Sequence, residues 1–458
     1  MTETATAGEK TETVDEFAAR ARTWLADNMP PIDPDDPPFS VRAEAASWER
    51  AKELQKRLYE GGFAGICFPR EYGGLGLDYA YQRAFDAECR AYEMPLILNT
   101  PSFTICSATI LDMGSEEQKR ARISAAIRGE EILVQLLSEP NGGSDLAGVI
   151  TRADRHGDRW IINGAKTWST SAFAGDYGLM LARTDWTVPK HQGLTMFLVP
   201  LDAPGITMRR IKEVNGNEEF CEEFFDGLEL GDDAVVGEVN DGWTVASRQL
   251  FHERRAVGGG SEFASGTGAE NASEMPPNHV ALAEATGQGD DPRVQDLAGR
   301  ALVRRLVKDH LIEHVFRGVS DGSLPPTSGT LIRLFHAETT ELEIDTALTI
   351  AGTAGVVDDG NGLLDVGVRY LSRQTGSLGG GTSEMARNVI GERILGFPRE
   401  FAAMLDVGVR YLSRQTGSLG GGTSEMARNV IGERILGFPR EFAADRGVPF
   451  NEVKRNKS

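Results

Sequence analysis

The sequence predicts an α+β protein: an N-terminal helical domain, a middle β-barrel or sandwich domain, and a C-terminal helical bundle. Three observations predict it. Trp48, Ala51, Leu54 and Leu58 recur at helical spacing with charged residues between them. From Ile132 to about Gly242 the texture changes to short apolar runs broken by Gly, Asn, Asp and Pro. After Gly242 helical spacing returns, with apolar pairs at 302–303, 306–307, 311–312 and 315–316.

Taken in order, residues 1–13 are polar and of mixed charge and are expected to be disordered. Residues 14–130 form the N-terminal helical domain. Gly61-Gly62 ends its helix around Trp48–Leu58, and Phe68–Gly76 follows as a turn-rich loop. Residues 131–242 form the β-domain, with strands at Trp160–Ile162, Gly178–Ala182, Leu194–Pro200, Gly205–Met208 and Phe220–Phe225. Asn163-Gly164 is placed as a hairpin turn between Trp160–Ile162 and Ala165–Trp168. Residues 243–403 form the C-terminal helical domain, in which Gly258–Asp291 reads as a long loop or lid. Leu364–Ala403 recurs without a change as Leu405–Ala444, so 404–444 is a tandem duplicate of 364–403, and 445–458 is a tail. Solenoid repeats diverge and come in several copies. A perfect pair points instead to a recent duplication or an assembly error, with the first copy filling the slot.

Composition narrows the function. The chain has 458 residues, 40% of them hydrophobic, and a formal net charge of −20. A nucleic-acid binder needs a basic surface, and so does a polybasic membrane-surface protein, so neither class of partner is expected. Arg304, Arg305 and Lys308 read as a solvated helix face. The four cysteines, Cys67, Cys89, Cys106 and Cys221, form no Cys-x-x-Cys pair and suit a reducing compartment. No apolar run approaches the ~18 residues needed to span a bilayer, and the first residues lack a signal peptide's pattern. A cytoplasmic protein is expected.

The chemistry is concentrated in two segments about twenty residues apart, Leu137-Ser138-Glu139-Pro140-Asn141-Gly142-Gly143-Ser144-Asp145 and Asn163-Gly164-Ala165-Lys166-Thr167-Trp168-Ser169-Thr170. They offer hydroxyls and an indole to a flat polar ligand. Further on, Gly379-Gly380-Gly381-Thr382-Ser383-Glu384 places three glycines before a helix that Thr382 or Ser383 caps. On the helix after Gly242, Trp243, Ala246, Leu250, Glu253 and Val257 are spaced 3, 4, 3 and 4 apart, which puts Glu253 on the apolar stripe. A carboxylate on a buried face has a raised pKa unless it is paired, with Arg254 or Arg255 as candidate partners. A base that removes a weakly acidic C–H proton needs that shift. His252 reads as a packing or surface histidine.

The paired segments, with Phe68-Pro69-Arg70-Glu71-Tyr72-Gly73-Gly74-Leu75-Gly76, resemble the acyl-CoA dehydrogenase family over roughly residues 15–403. The resemblance implies FAD as cofactor and α,β-dehydrogenation of an acyl-CoA thioester to the trans-2-enoyl-CoA. It implies that Gln135, Leu137, Ser138, Ser144, Trp168, Ser169, Thr170, Thr382 and Glu384 contact the flavin. It implies that Ser144, Arg254 and Gly381 meet the acyl-CoA, and that electron-transfer flavoprotein reoxidises the flavin. It also implies a homo- or hetero-oligomer, since the family completes its flavin site across an interface. Many members carry the catalytic Glu where this chain has Gly380. The isovaleryl and long-chain types carry it on the earlier helix, just before an Arg, and Glu253-Arg254 matches them. Glu253 is therefore the expected base.

Two family segments have no match. An Arg-x-x-Phe-Gly segment that reaches the adenosine side is missing from 260–300, and a Gln-x-x-Gly-Gly segment is replaced by Thr349-Ile350-Ala351-Gly352-Thr353. The alternatives are an oxidase on the same fold, or a poorly active subunit of a heteromer. No phosphate-loop, Rossmann, metal-ligand or nucleophile-elbow spacing competes.

Overall fold

The computed structural model describes residues 12–32, 42–257, 261–267, 277–358, 360 and 362–397. The chain divides into two compact units. Residues 309–328 and 388–458 make the smaller one, whose described part includes turns at Pro326–Ser328 and Ile390–Ile394. The larger unit, 1–308 with 329–387, contains the elements below except the second half of α9 and the last two residues of α12.

Helices α1 (Val14–Asn28), α2 (Ala45–Glu60) and α3 (Tyr79–Cys89) open it, followed by the short α4 (Ala108–Met113), α5 (Glu116–Gln118) and α6 (Ser124–Ile127). Thr13 and Glu16 close a capping box on α1. The expected stripe of α2 is buried at Trp48, Ala51, Leu54 and Leu58, and Gly61 caps the helix. One stretch departs from the hydropathy expectation. Leu96–Met113, 18 residues with mean hydropathy 1.2, is long and apolar enough to cross a membrane by composition. It is 72% buried within the fold, which accounts for its apolar character.

The strands are β1 (Leu133–Leu136), β2 (Arg152–His156), β3 (Arg159–Thr170), β4 (Tyr177–Arg183), β5 (Leu194–Pro200), β6 (Ile206–Arg210), β7 (Phe220–Gly231) and β8 (Val235–Val236). They join one mixed eight-stranded sheet in the order β6-β7-β3-β2-β4-β5-β8, with β1 parallel to β4. The expected hairpin at Asn163-Gly164 is not there. The β2–β3 turn falls at Gly157-Asp158, and Asn163-Gly164 is a bulge inside the continuous β3, where its register against β7 shifts. Gly164 has φ +151°, and a Cβ there would lie 2.7 Å from Thr151 Cα. The dipeptide thus serves a close backbone approach rather than a reversal.

Helices α7 (Gly242–Val257), α8 (His279–Ala285), α9 (Pro292–Ser320), α10 (Gly329–Ala351), α11 (Leu364–Ser372) and α12 (Ser383–Val389) complete the described elements. Helix α8, capped by Asn278, replaces part of the expected lid. Residues 258–260 and 268–276 of that segment lie outside the described residues. The basic cluster is not a solvated face. Arg304 pairs with Glu338 at 2.8 Å and Arg305 with Glu343 at 2.7 Å, which ties α9 to α10. Val366 of α11 packs against Ala347 and Ile350 of α10, so the first copy of the repeat is docked. The second copy and the tail lie outside the described residues.

Candidate active site

The two motif segments are one unit, held by a buried ion pair. Lys166 of β3 donates to Glu139 at 2.8 Å and to the Leu137 carbonyl at 3.0 Å. Glu139 also accepts the Ile150 N–H at 2.7 Å and the Thr151 N–H at 2.9 Å. The Thr167 N–H closes onto the Ser138 carbonyl at 2.9 Å. Burial pushes the Glu139 carboxyl up, but the Lys166 charge and the backbone donors together hold it below its ordinary range. Burial in turn lowers Lys166 to about 8. The loop that carries Ser138 is therefore fastened to β3 from beneath.

Above that brace, β3 bulges a second time between Thr167 and Ser169. Trp168 sits there with φ +61° and is 57% exposed, edge-on to Phe220 at 5.7 Å. A strand rarely turns its largest side chain outward in a left-handed conformation. An indole presented in this way, with half-buried Thr170 two residues on and half-buried Ser138 joined to Thr167 through its backbone, suits a flat ring such as a flavin. Ser169 faces inward, and its hydroxyl donates to Glu223 of β7 at 2.8 Å. Glu223 is fully buried, and burial pushes it up to about 8 against the Ser169 hydrogen bond. Ser144 is exposed.

Glu253 stands at the opposite wall, on α7. The helix buries Val245, Ala246, Gln249 and His252, so its inward stripe runs one residue away from the expected one, with Glu253 partly buried at its edge. Gln135 of β1, three residues before Ser138, donates its amide to Glu253 at 3.2 Å. Burial raises the Glu253 pKa, and the Gln135 hydrogen bond, the Arg254 charge, the Gly380 N–H and the Arg333 charge pull against it. Neither arginine beside Glu253 in the chain is its close ion-pair partner. Arg254 is exposed, and Arg255 pairs with Glu262 at 3.0 Å. His252 is buried and bonds Asp112 at 2.7 Å, a packing role as expected.

The glycine turn has φ +71° at Gly380 and +91° at Gly381. Thr382 caps α12 by accepting the Met385 N–H at 3.1 Å, and Glu384 lies exposed beside Arg387. Arg333 of α10, which the sequence pattern does not single out, donates to the Gly379 and Gly381 carbonyls.

The chain is similar to known proteins over most of its length. The N-terminal domain model of acyl-CoA dehydrogenases matches residues 11–130, the middle domain model 135–228 and the C-terminal domain model 240–395. The chain is 33% identical over 397 residues to "Acyl-CoA dehydrogenase IpdE1" of Mycobacterium tuberculosis, covering 84% of this chain and 98% of the relative. It is 31% identical to the protein of the same description from Mycolicibacterium smegmatis, with the same coverages. A solved structure described as "Tcur3481-Tcur3483 steroid ACAD" superposes with a TM-score of 0.68 at 27% identity, over 86% of this chain and 99% of that one.

Proposed function

The chain belongs to the acyl-CoA dehydrogenase family, and from that premise we propose that it is an FAD-dependent dehydrogenase of acyl-CoA thioesters with Glu253 as its base. One observation carries the reading. Glu253 accepts from Gln135 of β1, three residues before Ser138, while Gly380, where many members carry their base, offers no carboxylate. The isovaleryl and long-chain types share this placement by resemblance.

Each residue then has a task. Glu253, raised by burial, takes the α-proton onto its carboxylate. Gln135 fixes the orientation of that carboxylate. Backbone N–H groups of the glycine turn stabilise negative charge developing on the thioester carbonyl, and Gly381 and Arg254 border the acyl-CoA with Ser144. Trp168, Thr170, Ser138 and Leu137 would hold the flavin, with Ser169 contributing backbone, and Thr382 and Glu384 lining its far edge. Bound FAD would supply the hydride acceptor for the β-hydrogen. The domain bounds follow the three functions, 14–130, 131–242 and 243–403. Electron-transfer flavoprotein is the proposed electron acceptor, and an oligomer the proposed assembly. Four free thiols suit a cytoplasmic setting.

A second reading is a subunit of a heteromer. It is favoured by the unmatched adenosine-side segments and by the likeness to a steroid dehydrogenase described under two names. The same likeness supports a steroid-derived acyl group as substrate. Anaerobic titration with straight-chain, branched and steroid-derived acyl-CoAs, followed at the flavin absorbance, tests all of this. Wild type is expected to bleach with one class, and Glu253→Gln to slow reduction by about 10²–10⁴-fold. Equal rates would remove Glu253 from the mechanism. Peroxide release in air would indicate an oxidase, and a colourless protein the heteromer subunit.

A further inference from the structure

Residues an even number apart in a strand share a face of the sheet. Lys166 of β3 stands directly opposite Glu223 of β7, and Ser169, three residues on, donates its hydroxyl to the same Glu223 at 2.8 Å. Lys166 and Ser169 therefore lie on one face with Glu223, and all three side chains are buried. The odd spacing comes from the bulge. It inserts Trp168 between Thr167, which pairs with Glu222, and Ser169, which pairs with Cys221, and gives it φ +61°. Without the inserted residue, alternation would place Trp168 on the buried face beside Lys166 and turn Ser169 outward. A bulky residue in the left-handed region is costly, so the shifted alternation must be held. The Ser169–Glu223 hydrogen bond spans the bulge on the buried face. Trp168 itself is 57% exposed and meets Phe220 edge-on. A carboxyl is an expensive acceptor for that purpose. Glu223 Oε2 accepts the serine O–H, while Oε1 is buried without a partner. An apolar pair would serve stability better.

We infer that Glu223 is a positioning residue for the ligand wall: by holding the Ser169 hydroxyl on the buried face of the sheet, it fixes the β3 bulge in the register that turns Trp168 outward. The inference rests on the proposed role of Trp168 against the flavin. The neighbours of Glu223 do not compete for this task. Lys166 is committed to Glu139 and to the Leu137 carbonyl. On β6 the residue opposite is Met208, whose thioether has no proton to donate. Burial pushes Glu223 up to about 8 against the Ser169 hydrogen bond, and the charge of Glu222 beside it acts in the same direction as burial. At neutral pH Glu223 is therefore an uncharged acid, and glutamine is its close mimic.

The experiment uses the full chain, stripped of FAD and titrated back with it at neutral pH. Ser169→Ala removes the donor, Glu223→Leu removes the acceptor, and Glu223→Gln keeps it. Ser169→Ala and Glu223→Leu are each expected to weaken FAD binding about tenfold, the loss of one buried hydrogen bond. The double variant should be no weaker than either alone, and Glu223→Gln should stay within about twofold of wild type. In a Trp168→Ala background, Ser169→Ala should change affinity by less than about twofold, because its effect passes through the indole. Acrylamide quenching of Trp168 fluorescence, taken as the difference between each protein and its Trp168→Ala counterpart, reports the indole directly. It should be efficient in wild type and fall in Ser169→Ala and Glu223→Leu. Unchanged quenching in a folded Ser169→Ala protein overturns the inference, as does an equal loss of FAD affinity with and without Trp168. If Glu223→Leu does not fold, Ser169→Ala and Glu223→Gln carry the test. If Trp168→Ala binds FAD as tightly as wild type, the flavin role of Trp168 fails, while the quenching still decides whether Glu223 holds the indole outward.

Discussion

On the β-domain wall, Lys166, Glu139 and the backbone groups of Leu137, Ile150 and Thr151 satisfy one another inside the fold. On the helical wall, Gln249 is fully buried with both amide atoms unpaired, Arg333 keeps an unpaired Nη1, and Glu253 accepts one side-chain hydrogen bond among the described residues, from Gln135. The brace of the first wall is made of residues close together in the chain and is satisfied within itself, although Glu223 behind it keeps one buried oxygen unpaired. The second is assembled from α7, α10 and the turn before α12, and retains unsatisfied polar atoms. The difference matches the proposed division of labour. A cofactor platform needs rigidity, whereas a proton acceptor needs a pKa displaced from its ordinary value, and burial provides that displacement at Glu253.

The comparison breaks if the β wall tolerates loss of its brace. Lys166→Met leaves Glu139 buried without its cation, and is expected to cost about 3–5 kcal/mol in denaturant unfolding. Adding Glu139→Leu should recover much of the loss, because it removes the stranded charge. A loss below about 1 kcal/mol in the single variant would mean that water replaces the lysine and that the wall is not self-sufficient. Glu223 sharpens the contrast with a smaller effect. Its pKa is raised to about 8 by burial, so the folded protein binds a proton that the unfolded chain releases near 4.5. That contribution is complete below about 4.5 and is lost as pH rises through about 8. Glu223→Gln keeps an acceptor for Ser169 and removes the titration. It should raise stability at pH 9 relative to wild type, on the order of a few kcal/mol at most, and change little at pH 5. Parallel melting curves at the two pH values would show it.

What could be read from the chain follows the same divide. The two segments of the β wall stood out because each is a short motif that needs no tertiary information, but the Lys166–Glu139 pair that joins them was not read from the sequence. The helix spacing put Glu253 on the buried stripe, whereas that stripe runs through Val245, Ala246, Gln249 and His252 and leaves Glu253 at its edge. Arg333 was not, since an arginine on a helix with no matching motif looks like any surface arginine until α10 is set against the glycine turn. Arg304 and Arg305 were misread for the same reason, their acids lying on another helix. Asn163-Gly164 failed differently. The dipeptide suits a turn or a bulge equally well, and the closer turn at Gly157-Asp158 took the reversal.

The smallest expected effect concerns the repeat. Among the described residues, the first copy is held by Val366 in the small apolar cluster with Ala347, by Arg373 on Asp345 at 2.7 Å, by Arg387 on Glu338 at 3.0 Å and by Arg333 on the Gly379 carbonyl at 3.0 Å. Deleting 404–444 leaves a chain whose sequence is the same as if 364–404 had been removed, because the copies are identical and are joined by Met404 alone. The experiment therefore asks whether one copy suffices, without having to choose which. The shortened protein is expected to bind flavin in the same proportion and to melt within about 1–2 °C of the full chain, a change below about 1 kcal/mol. Its only expected difference is less self-association, since the second copy carries the apolar set Met426, Val430, Ile431 and Ile435. Loss of flavin on deletion would mean that the second copy helps complete the helical wall, and would make that wall dependent on still more distant chain.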